Sequence, residues 1–281
     1  MDAYQNTLKE SFTYQGTALH SGEKVLMRCL PATEDTGIIF KRIDLKGCPA
    51  VKAAVQNVVS TKRRTSIGDR DGSVVIHAVE HLLAAFSMAG IDNVVVELNG
   101  SEVPAGDGSA LVFTELIGKN GSLRQRKAVN VKKIDEPFFV RDNGAVLLAL
   151  PFDGFRISYT LSYNHPFIGT QYVDYIFDKA TSFIDIAAAR TFGFIEEVES
   201  LRKQGLARGG SLNNAVIVTR DGTANPLRFK DEFARHKILD MTGDLALAGR
   251  VAGHFIGIKS GHNLNAALAE LIRESCIPLE K

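Results

Sequence analysis

The segment "HAVEH", residues 77–81, sets two histidines four apart with a glutamate directly before the second. An H-x-x-E-H string marks one class of zinc peptidase. A second metal-like spacing lies far downstream, where His236, Asp240 and Asp244 stand at i, i+4 and i+8. On a helix these share one face, and an i, i+4 His–Asp pair can present a nitrogen and a carboxylate oxygen to the same ion. Ile238, Leu239, Met241 and Leu245 occupy the other face. Residue types and spacing leave two assignments open. Either His77 and His81 hold an ion with a distant glutamate, or His81 joins His236 and Asp240 and leaves Glu80 free beside the ion.

Rigid elements must position these groups. Val74 to Ala89 is nearly all apolar, too long for a strand, and bounded by Gly72-Ser73 and Gly90, so it predicts a buried helix. Apart from Ser87, its only polar side chains are His77, Glu80 and His81, which at helical pitch fall within a sector of roughly 100°. Burying a carboxylate and imidazoles is costly unless they are paired or bind a metal, so something must compensate them. Asp231 to Ala248 predicts the second helix. Upstream, "KVLMRCLPA", "GIIFKRID" and "VKAAVQNVV" read as short strands. "DNVVVELNG" reads as another, followed by the glycine-rich "SEVPAGDGSALVFTELIG", which opens a short helix at Ser109.

The basic run "KNGSLRQRKAVNVKK" (119–133) reads as a solvated connector. Beyond it, two apolar runs around Asp142-Asn143-Gly144 predict a hairpin. "FRISYTLSYN" predicts a third strand, Ile195 to Gln204 a helix ending at Gly205, and "NAVIVT" a strand. "HFIGIKS" predicts a further strand and Leu264 to Arg273 the last helix. Helix, glycine turn, apolar strand, glycine-containing loop and helix thus occur at 74–117 and again at 231–273. Two similar α+β halves could stack helix against helix and leave a cleft between them.

Composition narrows the function classes. Lys and Arg number 33 against 32 Asp and Glu, a balance that argues against a general nucleic-acid binder. Cys29, Cys48 and Cys276 are far apart and form no C-x-x-C pair, so neither a disulfide framework nor a thiolate zinc site is expected. The first residues are polar and lack a signal-peptide core, and no run approaches the roughly 18 apolar residues of a membrane span. A soluble, cytoplasmic protein is expected.

At this point the sequence resembles the UDP-3-O-acyl-N-acetylglucosamine deacetylases, the metal hydrolases of bacterial lipid A synthesis. The resemblance rests on eight motifs in order: "GTALHSG" (16–22), "VEHLLAAF" (79–86), "GIDNVVVELNGSEVPAGDGSA" (90–110), "YNHPFIG" (163–169), "ARTFGF" (189–194), "GLARGGS" (205–211), "LRFKDEFARHKILDMTGDLALAG" (227–249) and "SGHNLN" (260–265). It implies His81, His236 and Asp240 as metal ligands, with zinc as the default and ferrous iron able to act as the same Lewis acid, and it gives His77 no ligand role. It implies Glu80 as general base, His262 as general acid or electrostatic partner, and Thr191 as hydroxyl donor to the oxyanion. Asp244, one turn beyond Asp240, would favour the cationic form of His262.

For the UDP-activated acylated amino sugar, the resemblance implies contacts from Lys237, Asp107, Gly210 and His20. Phe192 and Ile195 would line the acyl passage. The sequence departs from the family where a bulky apolar pair usually precedes "DGS" and this chain has Ala105-Gly106, a change that bears on local packing and not on the metal residues.

The expected fold is α+β, with two similar domains at 1–126 and 127–281, each a mainly antiparallel sheet with two helices. The helix layers would pack together with the active site at their interface, a βαβ-like insert would lie near 190–220, and a monomer is expected. Rival readings are a deacetylase of another acylated amino sugar and an inactive nucleotide-sugar binding homologue. A third is a ferrous oxygenase, which also uses two histidines and a carboxylate. Intact Glu80 and His262 favour hydrolysis.

Overall fold

The computed structural model describes residues 4–69, 71–178 and 182–275. The chain begins with β1 (Tyr4–Leu8), β2 (Phe12–Thr17), β3 (Lys24–Pro31), β4 (Ile38–Arg42), β5 (Ala50–Lys52), β6 (Val58–Ser60), β7 (Ser66–Gly68) and β8 (Val75–His77). Next come α1 (Glu80–Met88), β9 (Val94–Leu98), α2 (Leu111–Asn120) and β10 (Ser122–Ala128). It continues through β11 (Lys132–Lys133), β12 (Phe138–Asp142), β13 (Ala145–Leu150), β14 (Phe155–Ser162) and β15 (Thr170–Phe177). The last third holds α3 (Ile184–Ala187), β16 (Phe192–Phe194), α4 (Ile195–Lys203), β17 (Val216–Thr219), β18 (Gly222–Thr223), α5 (Glu232–Leu245), β19 (Val251–Ile258) and α6 (His262–Ser275).

Two sheets share one topology. The first runs β2-β3-β9-β4-β5 and the second β12-β13-β19-β14-β15. Along these paths neighbours are antiparallel except β9 with β4 and β19 with β14, which are parallel. Each sheet is therefore two hairpins flanking a central strand, and that strand follows one helix and precedes another. The internal echo is much longer than the helix–strand–helix pattern seen in the sequence. Period-two burial drives the strands: Val25, Met27 and Cys29 of β3 are buried while Lys24, Leu26 and Arg28 face out. Asn143 and Gly144, both at positive φ, close the predicted hairpin between β12 and β13.

Each copy carries an insert in the same slot, between its last hairpin strand and its first helix. In the first copy the insert includes the small antiparallel sheet β6-β7-β8. In the second, β16 and β17 pair in parallel across α4, and β18 is antiparallel to β17. Helix α5 packs on β14 and β15, and α1 packs directly on α5. Their backbones meet at Gly243, where an added Cβ would lie 1.9 Å from the Glu80 carbonyl oxygen.

Two readings are corrected. The stretch 74–89 is not one helix: Val75–His77 forms β8, paired with Ser66–Gly68, and the helix starts at Glu80. His77 therefore lies on a strand and does not share a helical face with Glu80 and His81. Residues 51–59 are not one strand but β5, a short 3-10 turn at Val55–Asn57 and β6.

Candidate metal centre

The break between β8 and α1 positions the first candidate ligand. Ala78 turns the chain at φ 55°, a left-handed conformation that costs a non-glycine residue on the order of 1–2 kcal/mol. Its neighbours are fixed on both sides: His77 N donates to Ser101 O (2.8 Å), Val103 N to His77 O (3.1 Å) and Val79 N to Thr65 O (3.2 Å). Glu80 and His81 follow in the first turn of α1. Across the interface α5 supplies His236 and Asp240 one turn apart.

The ligand atoms of His81, His236 and Asp240 lie within 4.8 Å of one another. Nε2 of His81 is 3.4 Å from Asp240 Oδ1, and Nε2 of His236 is 3.3 Å from the same oxygen. Bonds of about 2.0–2.1 Å in a tetrahedral site separate ligand atoms by about 3.3–3.4 Å, so both edges suit an ion of that kind. Asp240 Oδ1 is buried and has no hydrogen-bond partner, while Oδ2 accepts from Lys237 Nζ at 2.7 Å. An orphaned buried carboxylate oxygen needs a positive partner. His236 Nδ1 lies 3.1 Å from the Ala189 carbonyl; donating there leaves Nε2 as a lone pair aimed at the centre. These residues fit a divalent cation.

Electrostatics agree with ligation. Burial pushes His236 down to about 3 despite Asp240, so its imidazole is neutral at working pH. Burial alone would raise Asp240, but the positive charges of Lys237 and His262 hold it well below the usual carboxylate range. His262 opens α6 and its Nδ1 lies 2.8 Å from Asp244 Oδ2. Against burial, Asp244, Asp240 and Glu80 carry His262 up to about 9. Glu80, buried, is raised by desolvation even with His262 and His81 nearby. A proton acceptor and a cationic donor thus face one centre.

Glu80, His81, His20, Thr191, Phe192, His236, Lys237, Asp240 and His262 line a single cavity of about 310 Å³. Asp244 is fully buried behind His262. Burial holds His20 down at about 4, and its Nδ1 accepts from Ala207 N at 3.3 Å. Phe192 packs at 6.1 Å from Tyr163, which is 5.3 Å from Phe194, giving the cavity one aromatic wall. Besides Asp244, three candidate residues lie off the cavity lining. Asp107 accepts from Ser109 (2.6 Å) and pairs with Arg228 (2.7 Å), Ile195 sits exposed at the start of α4, and Gly210 N donates to Ala207 O. His77 contacts Ser66 Oγ at 2.9 Å and stands outside the ligand group.

The sequence reading missed Thr65, Tyr163 and Asn263, the last two on the cavity wall and the first behind it. Arg63 was missed as well; it lines the cavity and reaches across to Glu197 of α4 with paired bonds of 2.9 and 3.0 Å. A departure from apolar or charged periodicity is the usual signal for such residues; Arg63, Thr65 and Tyr163 sit in loops that carry none, and Asn263 lies in the first turn of α6.

Two histidines and an aspartate around one point, with a carboxylate alongside and open space in front, form the arrangement of metal-dependent hydrolases. Comparison with known proteins gives the particular family. Residues 5–274 match the family LpxC, UDP-3-O-acyl N-acetylglycosamine deacetylase. The chain is 43% identical over 281 residues to the UDP-3-O-acyl-N-acetylglucosamine deacetylase of Geobacter sp. (strain M21), covering 98% of this chain and 92% of that protein. It is 44% identical over 274 residues to the protein of the same name from Nitratidesulfovibrio vulgaris, with 96% and 88% covered. This chain belongs to that deacetylase family.

Proposed function

We propose that this chain hydrolyses the N-acetyl group of UDP-3-O-(acyl)-N-acetylglucosamine in lipid A biosynthesis, releasing acetate and the free amine. Zinc is the proposed ion, with ferrous iron able to replace it. The observation that carries this reading is the buried, partnerless Asp240 Oδ1 at 3.3–3.4 Å from two imidazole nitrogens, in a chain of this family.

When bound, the ion supplies Lewis acidity to the acetamide carbonyl and to the attacking water. Glu80 takes the water's proton as the new C–O bond forms. The Thr191 hydroxyl donates to the oxyanion of the tetrahedral intermediate. His262 gives its proton to the sugar nitrogen as the C–N bond breaks, so acetic acid and a neutral amine depart, and the acid then loses its remaining proton to solvent as acetate. Asp244 keeps that imidazole charged and oriented through the 2.8 Å contact. Lys237, 5.8 Å above the Phe192 ring, supplies positive charge for the substrate carbonyl or pyrophosphate.

Phe192 and Ile195 are the proposed acyl contacts, and His20, Asp107 and Gly210 the supporting ones. We further propose a cytoplasmic monomer with domains at 1–126 and 127–281. Among the described residues no helix is long and apolar enough to cross a membrane. The test is acetate release from UDP-3-O-acyl-N-acetylglucosamine with chelator and zinc add-back. Chelation is expected to abolish release and zinc to restore it; metal-loaded protein that releases no acetate would overturn the reading.

A further inference from the structure

Thr65 is fully buried in the loop between β6 and β7, within a run of basic residues that gives no hint of a catalytic neighbourhood. Each of its polar groups is engaged. Its N–H donates to Glu80 Oε2 at 3.0 Å, and its carbonyl accepts from Val79 N at 3.2 Å. Its hydroxyl donates to Asp244 Oδ1 at 2.5 Å and lies 3.3 Å from His262 Nδ1. The other Asp244 oxygen takes His262 Nδ1 and Asn265 Nδ2, both at 2.8 Å.

We infer that Thr65 is a positioning residue that joins the proposed base to the proposed acid, bonding Glu80 through its backbone and Asp244 through its side chain. The inference rests on the deacetylase reading. Glu80 comes from α1 and Asp244 from α5, two buried carboxylates on helices of different sheets. A neutral residue that donates to both relieves the need of each for a hydrogen bond without adding charge. Its hydroxyl also fixes the rotation of the Asp244 carboxylate. With Oδ1 so held, Oδ2 points at His262, and Nε2 of that ring is directed to the cavity. Because the Glu80 bond uses the main chain, a side-chain change at 65 acts only through Asp244 and His262.

The experiment measures kcat, KM and bound zinc in the holoenzyme for Thr65→Val, Thr65→Ser, Asp244→Asn and the Val/Asn double variant. Thr65→Val keeps the side-chain volume and removes the donor. We expect its kcat to fall about tenfold or more, with KM within about twofold and zinc content unchanged. Thr65→Ser restores the donor and is expected within about threefold of wild-type kcat. In the Asp244→Asn background, Thr65→Val is expected to cost less than about twofold, because its route is already cut.

Wild-type kcat in Thr65→Val, an equal loss in Thr65→Ser, or full multiplicativity with Asp244→Asn would each overturn the inference. If the Val variant does not fold, Thr65→Cys replaces it, since a thiol is a weak donor; unimpaired kcat there overturns the inference equally. A wild-type holoenzyme that releases no acetate fails the deacetylase reading itself, whereas an active wild type with an unimpaired variant fails this inference alone.

Discussion

Gly243→Ala tests whether the contact between α1 and α5 sets the metal centre. An alanine Cβ at 243 would stand 1.9 Å from the Glu80 carbonyl oxygen and 2.7 Å from its carbon. That is about 1.5 Å inside ordinary contact. Both atoms are backbone, so no side chain can swing away and the helices must part. Overpacking of this kind costs ~1–3 kcal/mol, and the better helix propensity of alanine offsets about 1 kcal/mol of it. The net loss of stability is therefore small, and Tm should fall by only a few degrees. Activity should suffer far more. Parting the helices carries Glu80 and His81 away from His236 and Asp240, whose ligand edges are 3.3 and 3.4 Å. A misplacement of ~1 Å costs a rate on the order of 10²-fold. Acetate-release kinetics, zinc affinity by chelator competition, and thermal melting together read this out. A variant with wild-type kcat/KM and zinc affinity and a raised Tm would show that propensity alone governs position 243, and would refute the reasoning.

Three further outcomes are expected. Glu80→Ala should keep its bound metal while acetate release falls by a factor on the order of 10² or more; near-full activity would remove Glu80 as the proposed base. His77→Ala should retain bound metal, since His77 faces Ser66 from a strand; stoichiometric loss of the ion would restore the two-histidine peptidase assignment. For pH, the proposed mechanism makes the imidazolium of His262, held at about 9 against burial by Asp244 first, the active form, so kcat/KM should decline as pH rises through its pKa. Asp244→Asn removes the nearest carboxylate and should move that decline to lower pH. A bound cation lowers the limb in both proteins, so the shift between them is the measurement, and an unmoved alkaline limb would exclude Asp244 as the cause.

What could be read from the sequence followed from how local each signal is. His236 and Asp240 were legible because an i, i+4 pair keeps its face wherever the helix packs, and Asp142-Asn143-Gly144 was legible because a two-residue hairpin needs positive φ. The start of α1 was not. Val74 to Ile76 is as apolar as the helix after it, and only pairing with Ser66–Gly68 makes it a strand. The turn at Ala78 adopts a conformation that favours glycine, asparagine or aspartate, so nothing in the residue announces it. The H-x-x-E-H spacing makes His77 a ligand candidate only on a continuous helix, and His77 lies on β8. Thr65 is hidden for a related reason, since it acts on residues 15 and 179 positions away.

The shared topology of the two sheets explains why so little of the duplication surfaced. The recognisable helix–strand–helix unit is continuous in both copies, but the hairpins before it are cut off by unlike inserts. One insert is a three-stranded antiparallel sheet and the other a parallel pair around a helix. Both inserts line the same cavity, Arg63 from the first and Phe192, Phe194 and Glu197 from the second, and Arg63 joins them through Glu197. A duplicated frame alone would place two equivalent helices back to back with equivalent faces. Chemistry requires that the faces differ, and they do: α1 brings one imidazole and a carboxylate, and α5 an imidazole, a carboxylate and an amine. The divergence of the two copies is therefore greatest where a single ion and an asymmetric substrate must be held between them.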